Sequence, residues 1–170
     1  AEIDAFGVGE RLITAKSDPV FGGVYKLVAT EKNGVIEPKI KISENPGKIT
    51  NPHYKKVYRI YDNDSGKAIA DLLCVYDETL DESKPLEIFD PQNTWKRKTL
   101  TNYHLRELLV PVFQNGECVY TSPSAADIRS YCASQTDKLW DEVKRFENPH
   151  AYYVDLSKKL WDIKQEMLRK

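Results

Sequence analysis

A chain of 170 residues, 41% hydrophobic and 30% charged, holds enough apolar side chains for one sizeable core or two small ones and is not a disordered polymer. No apolar run nears the ~20 residues that span a bilayer, no charged-then-apolar leader opens the chain, and a formal net charge of −1 offers no global field for nucleic acid; neither a membrane nor a nucleic-acid partner is expected. Cys74, Cys118 and Cys132 are odd in number without CxxC spacing, which argues against a disulfide framework and a zinc site, predicts a reducing, cytoplasmic setting, and makes buried small hydrophobes of all three.

In chain order, residues 2–9 read as a short buried strand running into a glycine turn, and 10–17 as a short helical turn ended by Asp18-Pro19. Val24 to Thr30 is rich in β-branched and aromatic residues and predicts a strand. Lys32-Asn33-Gly34 signals a hairpin whose return strand runs from Val35 to Ser43, with Ile36, Ile40 and Ile42 on one face and Lys39 and Lys41 on the other. The clearest hairpin joins Lys56–Tyr61 to Lys67–Tyr76 through Asp62-Asn63-Asp64-Ser65-Gly66. Its second strand is apolar on both faces and belongs inside a sheet. A short strand at Leu86–Phe89 precedes the basic run Lys96-Arg97-Lys98. Tyr103 to Phe113 suits a strand or short helix, with Pro111 opposing a long helix, and Gln114–Glu117 is a turn before a brief strand, Cys118–Tyr120. Ser122-Pro123-Ser124 supplies a cap and a first-turn proline for a helix whose apolar face holds Ile128, Cys132, Leu139, Val143 and Phe146. Asn148-Pro149 stops it, and a second helix from about Asp155 carries Leu156, Leu160, Ile163 and Met167 on one stripe. The class is α+β, a β-rich middle closed by two helices. Met167 is the only methionine, so the chain does not open on an initiator; with a strand at its very start, it reads as the carboxyl-terminal piece of something longer.

Few constellations carry chemistry. Lys39 to Arg59 holds six basic residues and one acid, and Asp62 to Asp90 nine acids and two lysines. A polyanion face with Tyr54, Tyr58 and Tyr61 as stacking platforms would fit the first segment, but cross-strand charge pairing accounts for both segments together. Lys96-Arg97-Lys98 is a better ligand contact, weighed against plain solvated surface. His53, His104 and His150 lie far apart without metal-ligand spacing and read as hydrogen-bonding surface residues; no nucleophile elbow is present. Ahead of all these, an apolar run enters Phe6-Gly7-Val8-Gly9, and Gly22-Gly23 precedes the next one. Glycines after a strand let backbone N–H groups cradle an anion, although a lone Gly-x-Gly is as readily an ordinary tight turn. Asp4, a carboxylate inside that apolar strand, either bonds its own loop or faces a ligand or its magnesium.

The segments Asp4-Ala5-Phe6-Gly7-Val8-Gly9, Arg11-Leu12-Ile13-Thr14 and Gly22–Val28 resemble the phosphate-loop region of the nicotinate phosphoribosyltransferase family. The resemblance continues through Lys56–Asp62 and Gly66–Leu72 and returns at Asn148-Pro149-His150 and Leu156–Trp161, so it covers nearly the whole chain and only the family's carboxyl-terminal portion. It implies the last strand or strands of a type II phosphoribosyltransferase α/β barrel with the phosphate loop (1–23), a β-rich domain (24–122) and a C-terminal helical segment (123–170). It implies transfer of phosphoribosyl from phosphoribosyl pyrophosphate to nicotinate, with Mg2+ on the pyrophosphate and ATP as cosubstrate, in NAD biosynthesis. The partners implied are nicotinate, phosphoribosyl pyrophosphate, the remainder of the barrel or another subunit, and a homo-oligomer. Phe6, Gly7, Val8 and Gly9 would hold the ribosyl 5′-phosphate, with Asp4 and Arg11 as further ligand contacts. Glu10 departs from many relatives, which carry a small or hydroxyl residue there; its charge must turn from the phosphate or pair with Arg11. The histidine of ATP-linked phosphoryl transfer belongs to the family's earlier part and is assigned to none of the three here; nor is any catalytic residue or resident metal site. A barrel takes ~250 residues, so the chain alone is expected to be inactive. The alternatives are a non-catalytic β-rich binding or assembly module and a nicotinamide-using relative.

Overall fold

The structure, a computed structural model, describes residues 4, 5, 7, 9 and 23–169. Asn33 and Gly34, at φ of 53° and 76°, make the left-handed pair that a two-residue hairpin needs. They turn β1 (Ala29–Lys32) into β2 (Val35–Pro38), with Lys32 opposite Val35. Two boundaries differ from expectation. Val24, Tyr25 and Leu27 precede the strand and are exposed, and β2 stops at Pro38, which has no N–H to continue a ladder. A single 3-10 turn, Pro46–Lys48, follows, capped by the Asn45 side chain.

The second hairpin organises the domain. β3 (Lys55–Asp62) pairs antiparallel with β4 (Ala68–Val75), and Gly66 at φ 67° closes the turn, its N–H bonded to the Asp62 carbonyl at 2.8 Å. β5 (Leu86–Phe89) and β6 (Arg97–Leu100) form a separate antiparallel pair, with the basic run lying largely within β6. β7 (Tyr103–Glu107) settles the strand-or-helix choice by adding to the free edge of β3. β8 (Phe113–Gln114) and β9 (Glu117–Cys118) form a two-residue ladder around the Asn115-Gly116 turn.

α1 (Ala125–Asp137) starts on a capping box between Ser124 and Asp127, with Pro123 just ahead of the cap rather than in the first turn. It ends nine residues short of Phe146, and tertiary bonds say why. Lys67 Nζ takes the Asp137 carbonyl at 2.6 Å, and the Ala68 N–H takes that of Lys138 at 2.8 Å. The predicted apolar face is not buried: Ile128 and Phe146 are exposed, and α1 has no buried residue. β10 (Val154–Leu156) lies where the second helix was expected to begin, and α2 (Lys158–Leu168) starts one residue beyond its Ser157 cap.

β10 runs parallel to β4, giving a four-stranded mixed sheet of order β10-β4-β3-β7, with the apolar β4 inside it as its composition predicts. One face holds Ile60, Ala70, Leu72 and Cys74 under Ile88 and Leu100 of the β5–β6 hairpin, with Tyr103. Val75 and Leu156 meet Leu160 of α2 in a second cluster. The described residues thus form a small α+β domain with a mixed sheet and two helices. Cys74 is buried, but Cys118 and Cys132 are exposed, because β9 and α1 carry no layer above them. No described helix is long and apolar enough to cross a membrane.

Candidate functional site

Of the residues assigned to the phosphate loop, Phe6, Val8 and Arg11, together with Glu10 and Gly22, lie outside the described residues. Asp4, Gly7 and Gly9 are exposed and in no strand. Half of the strand expected over 2–9, namely residues 2, 3, 6 and 8, lies outside the described residues. No heavy atom lies within 4 Å of a Cβ built on Gly7 or Gly9. Positive φ is found at Gly34, Gly66 and Gly116.

The histidines stay apart. His53 takes φ 78°, stacks on Tyr76 and places Nδ1 3.2 Å from the Tyr54 carbonyl. His104 stacks on Tyr61 with Nδ1 2.7 Å from Asn63 Oδ1, and His150 lines a cavity described below. Tyr61 is 1% exposed, which removes it from any stacking face. The basic and acidic segments meet at one buried point rather than along their length. Arg59 and Asp71 lie directly opposite each other on β3 and β4, joined by bonds of 2.8 and 2.9 Å, and the Tyr152 hydroxyl donates to the same carboxylate at 3.0 Å. Lys55 instead donates to the carbonyls of Asn51, Pro52 and His53. Burial pushes the Cys74 thiol up to about 12, so it is no nucleophile. Among the described residues no three His, Cys, Asp or Glu side chains converge as a metal site.

A feature the sequence did not disclose is a cavity of about 890 Å³ between the β5–β6 hairpin and the segment 140–155. Phe89, Trp140 and Tyr153 contribute aromatic surface, Lys96, Arg97 and Lys98 line one side, and Asp155 of β10 closes another. Asp155 is 5% exposed. Burial, and then the charge of Asp90, push its carboxyl up to about 6 from 3.8. The folded protein therefore holds this proton more tightly than the unfolded chain. The associated penalty is absent below about pH 4, grows as pH rises towards 6, and is complete above it. Asp155→Asn is expected to raise stability by about 2 kcal/mol at pH 7.5, a figure already reduced for the oxygens' contact with the cavity. Urea denaturation of both proteins should show that gain shrink at pH 4.5. Asp155 was read as a helix start; the β-forming run Tyr152-Tyr153-Val154 before it, and Ser157 as a cap after it, are the signals that place it on a strand.

A family model described as "Nicotinate phosphoribosyltransferase C-terminal domain" matches residues 54–164, from the start of β3 into α2. The chain belongs to this family. Family membership agrees with the resemblance seen in the residues themselves. The nicotinate phosphoribosyltransferase of Bacillus subtilis (strain 168) is 40% identical over 168 residues, which is 99% of this chain and 34% of that protein. The nicotinate phosphoribosyltransferase of Dictyostelium discoideum is 34% identical over 169 residues, 95% of this chain and 28% of that protein. A crystal structure of human nicotinic acid phosphoribosyltransferase shares the fold with a TM-score of 0.69 at 23% identity, over 86% of this chain and 27% of that one. The chain thus spans about a third of the length of the curated relatives it matches.

Proposed function

We propose that the chain is the C-terminal part of a nicotinate phosphoribosyltransferase. In that reading it serves the displacement of pyrophosphate from phosphoribosyl pyrophosphate by nicotinate, coupled to ATP, in NAD biosynthesis. The observation that carries the reading is the 40% identity to the Bacillus subtilis enzyme across 99% of this chain, which takes in the glycine loop as well as the domain. Residues 1–23 would complete a barrel supplied by the rest of the protein, 24–122 form the β-rich domain and 123–170 the helical tail. A surface that meets other structure suits the exposed Leu109, Val110, Val112 and Phe113 around β8, and Ile128 and Tyr131 on α1. The remainder of the barrel and a second subunit are the partners proposed for it.

The chemistry needs anchoring more than acid–base work. Displacement at the ribosyl carbon builds positive charge on the sugar, and rate comes from holding phosphate and leaving group in line. Backbone N–H groups at Phe6, Gly7, Val8 and Gly9 would hold the 5′-phosphate, with open space around Gly7 and Gly9 leaving room for its oxygens. Magnesium and ATP enter this proposal as companions of the substrates; no step is assigned to a metal held by the described residues.

A chimera tests both claims. Substituting this chain for the matching 168 residues of the Bacillus subtilis relative should preserve nicotinate mononucleotide formation, whereas the 170-residue chain alone should form none. A folded but inactive chimera would overturn the reading. Within the active chimera, Gly9→Ala should weaken nicotinate mononucleotide binding at least tenfold, about 1.4 kcal/mol, by calorimetry. Nothing in the chain's own fold resists that methyl group, so the loss would report the ligand's approach.

A further inference from the structure

The cavity beside β10 is lined by more acids than bases, and one of the acids, Asp155, has no described donor. Two of the three cations on its wall already face an acid, and the third acts on one from farther away. Lys96 lies 3.9 Å from Asp90, Arg97 3.0 Å from Glu87, and Lys98 acts on Asp62. Asp90 is also satisfied, accepting from the N–H groups of Gln92 and Asn93 at 2.8 and 3.0 Å and from Asn93 Nδ2 at 3.0 Å. Asp155 is the exception. It is 95% removed from solvent, it lines the cavity, and its environment consists of burial and the like charge of Asp90, with no described donor to its carboxylate. Its oxygens are not among sealed buried atoms and so open onto the cavity, where a donor could reach them. Its register opposite Leu72 keeps it on the face covered by the β5–β6 hairpin, so it cannot swing to open water without breaking β10 from β4.

We propose that this cavity binds a small organic cation, an ammonium or guanidinium compound, whose charged nitrogen donates to Asp155. Its volume of about 890 Å³ falls within the range of small-molecule sites. Trp140 and Tyr153, 42% and 62% exposed on the lining, offer the electron-rich faces that such cations prefer. An anion would find Lys96 and Arg97 already paired and an unmatched carboxylate beside it. The inference stands on the cavity alone and does not depend on the catalytic reading.

The test is calorimetric titration of agmatine, with inorganic phosphate as the contrasting probe, into both the 170-residue chain and the Bacillus subtilis chimera. Saturable agmatine binding with a dissociation constant below about 1 mM is expected, with none for phosphate at the cavity. Asp155→Asn should weaken agmatine at least tenfold while the circular dichroism spectrum is unchanged, and Trp140→Ala should weaken it several-fold. Absence of saturation up to about 10 mM, unchanged affinity in Asp155→Asn, or phosphate that competes with agmatine would each overturn the proposal. Chimera turnover is read separately, so the two claims fail separately.

Discussion

Replacing Asp71 by alanine should lower the unfolding free energy by about 3 kcal/mol, read as a reduced urea midpoint at constant slope. The size follows from the position of the pair. Arg59 and Asp71 face each other across β3 and β4 with side chains 23% and 13% exposed, and two parallel N–H···O bonds of 2.8 and 2.9 Å match the guanidinium fork to the carboxylate. The guanidinium lies over the Tyr152 ring, whose hydroxyl donates to Asp71, so a single carboxylate ties the segment before β10 to the centre of the sheet. Removing it strands a largely buried cation and frees Tyr152 together. The pair itself is not worth that much, since both ions gave up water to meet. The double substitution Arg59→Met with Asp71→Leu should accordingly recover most of the loss. A loss below about 1 kcal/mol for Asp71→Ala would mean that Arg59 finds solvent easily and that apolar packing alone holds the strands.

How much of this was legible depends on the range of the contact that decides each element. The Asn33-Gly34 and Asp62–Gly66 turns are local, and both hairpins form where those residues place them. The interior position of β4 was legible because a strand covered on both faces must be apolar on both. β10 was not: three residues parallel to a strand eighty positions earlier leave no periodicity to read. Its absence from the reading displaced the start of α2 and hid Asp155. The end of α1 was missed for the same reason, because Lys67 and Ala68 capture its last carbonyls from across the chain. Its apolar spacing promised a buried face, but spacing describes what a helix can cover, not whether a layer is present. The glycine loop was legible as a pattern in the sequence. Its meaning came from likeness to relatives three times as long.

Leu160→Ala should cost about 3 kcal/mol and loosen α2 before the hairpins. Leu160 is 0% exposed and packs with Val75 of β4 and Leu156 of β10, flanked by Leu73, Trp161 and Ile163. That cluster is the apolar joint between the helix and the sheet edge, so the lost methyl groups leave a cavity with few side chains free to fill it. The polar links around it are of another kind. Ser157 Oγ caps α2 at the Leu160 N–H and donates to Glu78, whose carboxylate also accepts from the Val75 N–H. Lys159 meets Asp77 at 2.7 Å, but both side chains are about half exposed. These bonds fix where the helix starts, whereas Leu160 decides whether it stays. Hydrogen exchange separates the two roles: Leu160→Ala should raise exchange throughout Lys158–Leu168 and in β10 while the β3–β4 amides remain protected. Lys158→Ala, which removes an exposed pair with Asp162 and a cation contact on the Trp161 ring but no buried group, should leave both patterns unchanged. Uniform loss of protection across β3, β4 and α2 would show instead that the helix and sheet unfold as one unit, with the second cluster as part of a single core.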